Sequence, residues 1–329
     1  MQRGNSPKIL VIVGPTASGK SDLAIRLAKL AHGKPFKKYG IFGTEIISAD
    51  SRQVYRGMDI GTGKVTKKEM RGIPHHLLDI ASPSRQFTVA QYQKLGQKAI
   101  KKILDRGKLP IVVGGTGFYI DALVHDFIVP DVKPDFKLRR KLEKLDTDKL
   151  FKHLQKLDPQ RAKIIDRHNK RRLIRALEIV MTTGKPVPLL RQGFEGQIKS
   201  KYQVLSIGIR ISDAELRKRI KKRLLKRLKQ GMIGEIKKLR ASGLSWQRLD
   251  NLGLEYRWIS RYLQGSFNKE EIIKKLETEI WHYAKRQMTW FKRDKSIHWI
   301  KNHTDALTLL NKVFNKPIKG LIHKTFLFK

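Results

Sequence analysis

Eight residues near the N-terminus constrain the fold more than any other part of the sequence. They read Gly14-Pro15-Thr16-Ala17-Ser18-Gly19-Lys20-Ser21 and match the phosphate-loop pattern G-x-x-x-x-G-K-S. An apolar run from Lys8 to Val13 precedes them and a helical pattern from Lys20 to Ala31 follows, as the motif requires. Backbone amides and the helix N-terminus favour a phosphate, Lys20 adds charge, and the Ser21 hydroxyl is a ligand for Mg²⁺. We predict a phosphate-binding site with Mg²⁺ as cofactor.

Further patterns extend this unit into a sheet. Residues 45–49 and 109–113 read as buried strands, and residues 87–104 between them are helical by spacing. The alternation predicts an α/β fold, a P-loop NTPase-like parallel sheet flanked by helices. Ligands bind at the carboxyl ends of such strands, where Gly14, Asp50 and Gly114 are expected to lie.

A change of pattern after residue 125 predicts a second domain. Residues 126–199 are mostly helical by spacing, so we expect an inserted all-helical domain, with residues 1–125 and 200–329 forming the core that carries the phosphate loop. The core resumes with a strand at 202–209. The capping-box sequence Ser212-Asp213-Ala214-Glu215 then opens a long basic helix. A last helix is predicted from Lys269 to Phe291, followed by a strand at 297–300.

The charge balance predicts a polyanionic partner. Lys and Arg number 71 against 29 Asp and Glu, a formal net charge of +42, and such a surface favours nucleic acid through counterion release. The alternative is an organism whose proteins are all rich in lysine. Cysteine is absent, which excludes thiol chemistry and cysteine-ligated metals. No apolar run approaches the ~18 residues of a membrane span, so we expect a cytoplasmic protein without a membrane partner.

Several motifs in register carry a resemblance to one family. Beyond the phosphate loop they are Ser48-Ala49-Asp50-Ser51-Arg52-Gln53, Ile73-Pro74-His75-His76, Gly114-Gly115-Thr116-Gly117, Arg171-Arg172-Leu173-Ile174-Arg175 and Lys285-Arg286-Gln287-Met288-Thr289-Trp290-Phe291. Together they resemble the tRNA dimethylallyltransferases of bacterial type. The resemblance implies transfer of a dimethylallyl group from dimethylallyl diphosphate to the exocyclic amine of the adenine 3′ of the anticodon, with release of diphosphate. The implied partners are dimethylallyl diphosphate and the tRNA anticodon stem-loop, and we expect a monomer.

The resemblance also implies roles for three residues. Asp50 matches the base that removes the amine proton, Thr16 a substrate contact and Arg223 the arginine that binds diphosphate. For Asp50 the alternative is a structural or Mg²⁺-associated carboxylate, which is common near phosphate loops. For Arg223 the alternative is a solvated basic face. Arg219 lies one turn away on the same predicted helix, so both arginines are candidates to point inward.

The resemblance further implies that the inserted domain at 126–199 binds tRNA, that residues 1–125 and 200–329 form the catalytic core, and that a larger set of residues contacts tRNA. This set comprises Asp50, Ser51, Arg52, Gln53, Thr116, Arg139, Arg171, Arg172, Arg175, Lys285, Arg286, Gln287, Thr289, Trp290 and Lys292. His75 and His76 are expected to be structural, and Trp281, Trp290 and Trp299 to fill core. One position departs from the family: Glu255 stands before Tyr256 where a glycine is usual, which puts the RNA contact of that loop in question. The segment 33–43 reads as an exposed loop longer than the family norm.

Other functions share the phosphate loop. A P-loop small-molecule kinase would explain residues 14–21 but neither the charge nor the inserted helices. An adenylate isopentenyltransferase would keep the chemistry and change the acceptor to a free nucleotide. An RNA-binding ATPase would bind RNA without group transfer. Consumption of dimethylallyl diphosphate or of ATP in the presence of bulk tRNA distinguishes these functions.

Overall fold

The chain forms two compact units in a computed structural model that describes residues 7–31, 41–125, 129–188, 200–301 and 303–315. The first unit comprises Met1–His125 and Lys199–Lys329, and the second comprises Asp126–Ile198. Most of the segment 33–43, predicted to be an exposed loop, lies outside the described residues.

A six-stranded sheet forms the centre of the first unit. Its strands are β1 (Lys8–Val13), β2 (Thr44–Ser48), β3 (His75–His76), β4 (Leu109–Val113), β5 (Gln203–Ile209) and β6 (His298–Ile300). They lie in the order β3-β2-β4-β1-β5-β6, and every neighbouring pair is parallel. A parallel sheet needs helices on both faces, so its central strands read as continuous apolar runs. The predicted α/β class with a P-loop NTPase-like sheet is confirmed.

Helices in the described residues surround this sheet and build the second unit. In chain order they are α1 (Lys20–Ala31), α2 (Lys67–Met70), α3 (Val89–Leu104), α4 (Gly117–Val124), α5 (Phe136–Glu143), α6 (Thr147–Leu157), α7 (Pro159–Ile164), α8 (Lys170–Thr183), α9 (Asp213–Lys229), α10 (Met232–Ala241), α11 (Trp246–Leu252), α12 (Leu254–Leu263), α13 (Lys269–Phe291) and α14 (His303–Asn315). Helices α5 to α8 belong to the second unit. Among these helices none has a stretch both long and apolar enough to cross a bilayer.

Alternate residues of β1 divide the core into two layers. Ile9 and Val11 pack in the cluster that contains the apolar residues of α3, α9 and α13. Leu10 and Ile12 pack in the opposite cluster with α1 and α14. This alternation follows from the two-residue period of a strand. It places α9 and α13 over the same face of the sheet, next to the phosphate loop that follows β1.

The second unit has its own apolar core and one buried charge. Leu150, Leu154 and Leu173 are fully buried between its helices. Glu178 is also fully buried, and its carboxylate binds Arg139 and Arg175 at 2.6–2.8 Å. Burial alone would raise the pKa of Glu178, but the two arginines hold it below its ordinary value. A buried carboxylate needs such partners, because an unpaired one costs several kcal/mol.

Several element ends differ from the sequence-based expectations. Helix α3 begins at Val89 rather than at residue 87, because the Thr88 side chain caps it in a complete capping box. The capping box expected at Ser212 is only half formed: Ser212 accepts the Glu215 amide, but the Glu215 carboxylate binds Arg219 instead. The long basic helix ends at Lys229. The predicted strands near residues 45, 202 and 297 are each displaced or shortened by one residue.

Two histidines and three tryptophans were expected to have structural roles, and their surroundings differ. His75 and His76 form the edge strand β3, and the His76 ring lies 2.7 Å from the Glu45 carboxylate. No group of three or more potential metal ligands of the His, Asp or Glu type occurs in the described part of the chain. Trp281 is buried as expected, whereas Trp290 and Trp299 are only half-buried.

Candidate active site

The phosphate loop joins β1 to α1 in a backbone conformation that few residues adopt. Gly14, Ala17 and Gly19 have φ of 151°, 64° and 94°, in the region that favours glycine. A Cβ at Gly14 would approach the Ser18 hydroxyl to 2.9 Å. That hydroxyl is buried and makes no hydrogen bond to any described residue. Buried polar atoms are normally paired, so an unpaired hydroxyl in this loop fits a ligand-binding cradle.

Two cations lie at the phosphate loop, one from the loop itself and one from α9. The Lys20 ammonium donates to the Pro15 carbonyl at 2.9 Å, and Arg223 of α9 donates to the Thr16 hydroxyl. Burial and then Arg223 lower the pKa of Lys20 to about 8, against the opposing effect of Asp50. Burial and then Arg227 lower the pKa of Arg223 to about 9. Positive charges held together out of water attract a polyanion strongly, because its binding relieves their repulsion.

Asp50 follows β2 at the carboxyl edge of the sheet. Its Oδ1 accepts the Arg52 amide at 2.8 Å and the Gln53 amide at 3.4 Å. No other hydrogen bond to this carboxylate occurs in the described residues, so Oδ2 remains available to accept a proton. Asp50 shares a pocket, here called the reaction pocket, with Thr16 and Arg223. The structure therefore brings the three residues with implied catalytic roles to one place.

Gln287 of α13 supports the phosphate loop from inside the protein. Its side-chain oxygen accepts the Thr16 amide at 2.7 Å, and its nitrogen donates to the Gly115 carbonyl at 2.8 Å. A Cβ at Gly115 would lie 2.1 Å from that nitrogen, so only glycine leaves room for the bridge. Gln287 is 5% exposed. It acts here as a brace between the loops after β1 and β4, and its implied tRNA contact remains a prediction.

A buried ion pair forms part of the reaction pocket and was missed by sequence reasoning. Arg227, one turn beyond Arg223, donates to the Glu255 carboxylate at 3.2 Å and to the Gly61 carbonyl at 3.1 Å. Both charged side chains are less than a tenth exposed. Glu255 is the position where the sequence departs from the family's usual glycine. The only available signal was the one-turn spacing from Arg223, which many exposed basic residues of α9 share.

Aromatic and apolar side chains complete the reaction pocket. Tyr283 of α13 lines it with Ile280 and Leu252. Burial, with Asp50 nearby, raises the pKa of Tyr283 to about 12, and a hydrogen bond with Thr116 opposes that shift. The pocket thus places uncharged walls beside the cationic loop, an arrangement suited to a substrate with an anionic head and an apolar tail.

In the first unit, some of the residues implied in tRNA contact lie in the interior and others lie on the surface. Arg52 donates to the Leu252 carbonyl at 2.6 Å. The side-chain amide of Gln53 accepts from the Ser48 hydroxyl and donates to the Gly63 carbonyl. Thr116 accepts the Ser51 amide at 3.0 Å. The side chains of Lys285, Arg286 and Thr289 on α13 are exposed, as is that of Lys292 directly after the helix, and the half-buried Trp290 donates to Asp121 at 3.1 Å. The exposed α13 residues are those placed to meet a large ligand.

The second unit holds the remaining implied contacts. Arg171 and Arg172 are exposed in the first turn of α8. Arg139 and Arg175 bind the buried Glu178 and are partly exposed. A tRNA contact by these two arginines would use the guanidinium N–H groups that do not bind Glu178.

Mg²⁺ would find an oxygen ligand at the start of α1. The Ser21 hydroxyl is exposed in the first turn of the helix and shares a small pocket with Ser48 and Gln53. Mg²⁺ in proteins commonly takes one or two side-chain oxygens and completes its shell with phosphate oxygens and water. The residues present therefore fit a Mg²⁺ ion bound together with a diphosphate.

Comparisons with known proteins agree with this arrangement. A family profile described as IPP transferase matches residues 53–294. A tRNA dimethylallyltransferase of Pelotomaculum thermopropionicum is 41% identical over 297 residues, covering 89% of this chain and 90% of the relative. The crystal structure of a tRNA isopentenylpyrophosphate transferase from Staphylococcus epidermidis superposes with a TM-score of 0.66 at 36% identity, covering 94% and 99% of the two chains. A eukaryotic dimethylallyltransferase acting on tRNA gives a TM-score of 0.76 at 28% identity, covering 95% and 81%.

These relatives are tRNA-modifying transferases and not small-molecule kinases, which agrees with the motifs in register. The match extends over most of both chains, and the family profile includes α9 and α13 together. The chain therefore belongs to the IPP transferase family, the tRNA dimethylallyltransferases that its motifs predicted.

Proposed function

We propose that this chain transfers the dimethylallyl group of dimethylallyl diphosphate to the exocyclic amine of the adenine 3′ of the anticodon in tRNA. The observation that carries the proposal is the convergence of Asp50, Thr16 and Arg223 on the reaction pocket beside the phosphate loop. Each group supplies one requirement of the transfer: a proton acceptor, a hydroxyl at the diphosphate and a cation for the leaving group.

The proposed step forms one bond and breaks one. The amine nitrogen attacks the allylic carbon, the carbon–oxygen bond to the diphosphate breaks, and its electron pair leaves with the bridging oxygen. The amine proton passes to Oδ2 of Asp50, because the adenine amine is a weak nucleophile until that proton is removed. Lys20, Arg223 and the loop amides neutralise the charge that develops on the diphosphate. Ser21 would hold Mg²⁺, which adds positive charge at the same diphosphate.

The acceptor reaches this pocket from the surface of the first unit. Enzymes that modify a base take it out of the stack. The exposed cations Lys285 and Arg286 of α13, with Lys292 directly after that helix, would hold the phosphates beside the base. The exposed Arg171 and Arg172 of the second unit would add contacts of the same kind. A large polyanion explains a net charge of +42 better than a free nucleotide does. We infer a monomer that acts in the cytoplasm, where its tRNA substrate is found.

The test offers the enzyme one donor and several acceptors. Incubation with dimethylallyl diphosphate, Mg²⁺ and an anticodon stem-loop should add one five-carbon unit to the adenine 3′ of the anticodon, without ATP. Nuclease digestion and mass spectrometry locate the adduct, and a stem-loop with guanine at that position is the matched control. Prenylation of free AMP but not of the stem-loop would contradict the tRNA acceptor. ATP-dependent phosphorylation of a small molecule would contradict the whole proposal.

A further inference from the structure

A second cavity adjoins the phosphate loop at Pro15, the residue before the Thr16 that lines the reaction pocket. It has a volume of about 840 Å³ and is bounded by Pro15 of the loop, by the residues that follow β5 and β6, and by α9 and α13. Four cationic side chains line it, and we call it the basic cavity: Arg210, Lys285, Lys292 and Lys301, with Trp299 as its aromatic wall. Its volume is within the ~300–1,000 Å³ of small-ligand sites.

The charges of the basic cavity are largely uncompensated. Asp213 is the acidic residue of its lining, and it binds Lys285 at 3.3 Å. In the described part of the chain, the side chains of Arg210, Lys292 and Lys301 form no ion pair, and all three are exposed. Three cations around a concave surface attract phosphate groups and are positioned to contact more than one of them.

Trp299 gives the cavity a rigid aromatic wall. It pairs with Gly208 in the register of β5 and β6, and a Cβ at Gly208 would lie 2.6 Å from the indole. The glycine therefore allows the indole to lie against β5, where it stays half-buried. A fixed indole beside cations is the combination on which proteins stack unpaired nucleic-acid bases.

We propose that the basic cavity is a nucleotide subsite for the RNA substrate. One unstacked loop nucleotide next to the modified adenine places its base on Trp299 and its phosphates at Arg210 and Lys301. A single-stranded loop is the RNA that fits, because it presents an aromatic face and a phosphate together, whereas bases in a duplex are already stacked. The inference rests on the proposed function, since the cavity adjoins the same phosphate loop through Pro15.

The first test removes the two cations to which nothing else assigns a role. The double variant Arg210→Ala/Lys301→Ala is compared with Lys29→Ala/Lys102→Ala, which removes two exposed lysines from the last turns of α1 and α3. Fluorescence anisotropy gives the Kd for the stem-loop between about 50 and 200 mM salt. We expect the first variant to bind on the order of tenfold more weakly at low salt, with a log–log salt slope reduced by roughly 0.7 per lost contact. KM for dimethylallyl diphosphate should not change.

The second test addresses the aromatic wall. Trp299→Leu should weaken stem-loop binding about five- to hundredfold, as loss of one stacked base does, while the salt slope stays as in the wild type. Trp299→Phe should restore most of the affinity, which a purely structural role would not require. Thermal unfolding checks that the variants fold.

The outcomes separate this inference from the proposed function. If the wild type prenylates the stem-loop and Arg210→Ala/Lys301→Ala binds it as the lysine control does, the subsite is refuted alone. If the double variant loses affinity for free AMP but not for the stem-loop, the cavity is a small-nucleotide site and the inference is equally refuted. If the wild type prenylates no RNA acceptor, the proposed function fails first.

Discussion

Arg223 and Arg219 offer a matched pair with which to test how the leaving group is stabilised. Both lie on α9, one turn apart, and both point toward the phosphate loop. Arg223 contacts the Thr16 hydroxyl, while Arg219 binds Glu215 at 2.7 Å and reaches the Ser18 carbonyl only at 3.5 Å. The same substitution at the two positions therefore removes the same chemical group from an inner and an outer location.

The expected losses differ because the surroundings differ. Arg223 is held in place beside Thr16 before the substrate arrives, so Arg223→Ala should raise the barrier by about 2.7–4 kcal/mol, a loss of roughly 10²–10³ in kcat. The pKa of Arg223 is lowered chiefly by burial and then by Arg227, so the folded protein disfavours the charge that this variant removes, and stability should not fall. The Arg219 side chain is about half exposed, and its pair with Glu215 is of a kind worth about 0.3–0.5 kcal/mol. Arg219→Ala should therefore leave kcat within about twofold.

The assay is single-turnover prenylation of the stem-loop with the enzyme in excess, followed by rapid quench. This arrangement measures the chemical step without product release, and Kd for the stem-loop is measured separately. Equal losses at the two positions would refute the assignment, because the placement of the arginines would then not matter. A silent Arg223→Ala with a damaging Arg219→Ala would assign the diphosphate contact to the other turn of α9.

Three further changes test the remaining groups. Asp50→Asn should reduce the single-turnover rate by about 10² or more while tRNA affinity is kept, as for loss of a general base; a rate near the wild type would exclude that role. The pKa of Lys20 lies below its ordinary value at about 8, so its charge is present below that pH and lost above it. We expect kcat/KM for dimethylallyl diphosphate to fall above about pH 8. The Lys20→Arg variant stays charged, so its kcat/KM should be lower than that of the wild type but should not fall above that pH. Arg227→Met should destabilise the fold by about 3–5 kcal/mol in urea unfolding, because it leaves Glu255 buried without a partner, and Arg227→Met/Glu255→Leu should recover most of the loss.

Local sequence patterns determined the central strands of the sheet and two of the helices packed against it. The predicted bounds of β1, α1, β4 and α13 agree with the structure to the residue. Buried parallel strands read as apolar runs, and α13 begins after a complete capping box at Asn268 and Glu271. Shorter elements such as β3 and α2 were not predicted, because two to four residues carry no periodicity.

The phosphate loop, its family and its partner class are thus properties of the sequence by itself, because contiguous residues and overall charge encode them. The tertiary structure alone decided which distant side chains complete the site. Gln287 braces Thr16 across 271 residues, and Glu255 pairs with Arg227 across two intervening helices. Helical spacing made Arg219 and Arg223 equal candidates, and only the way α9 lies over the sheet brings Arg223 to Thr16. Such contacts depend on how whole helices pack, and no local pattern specifies that.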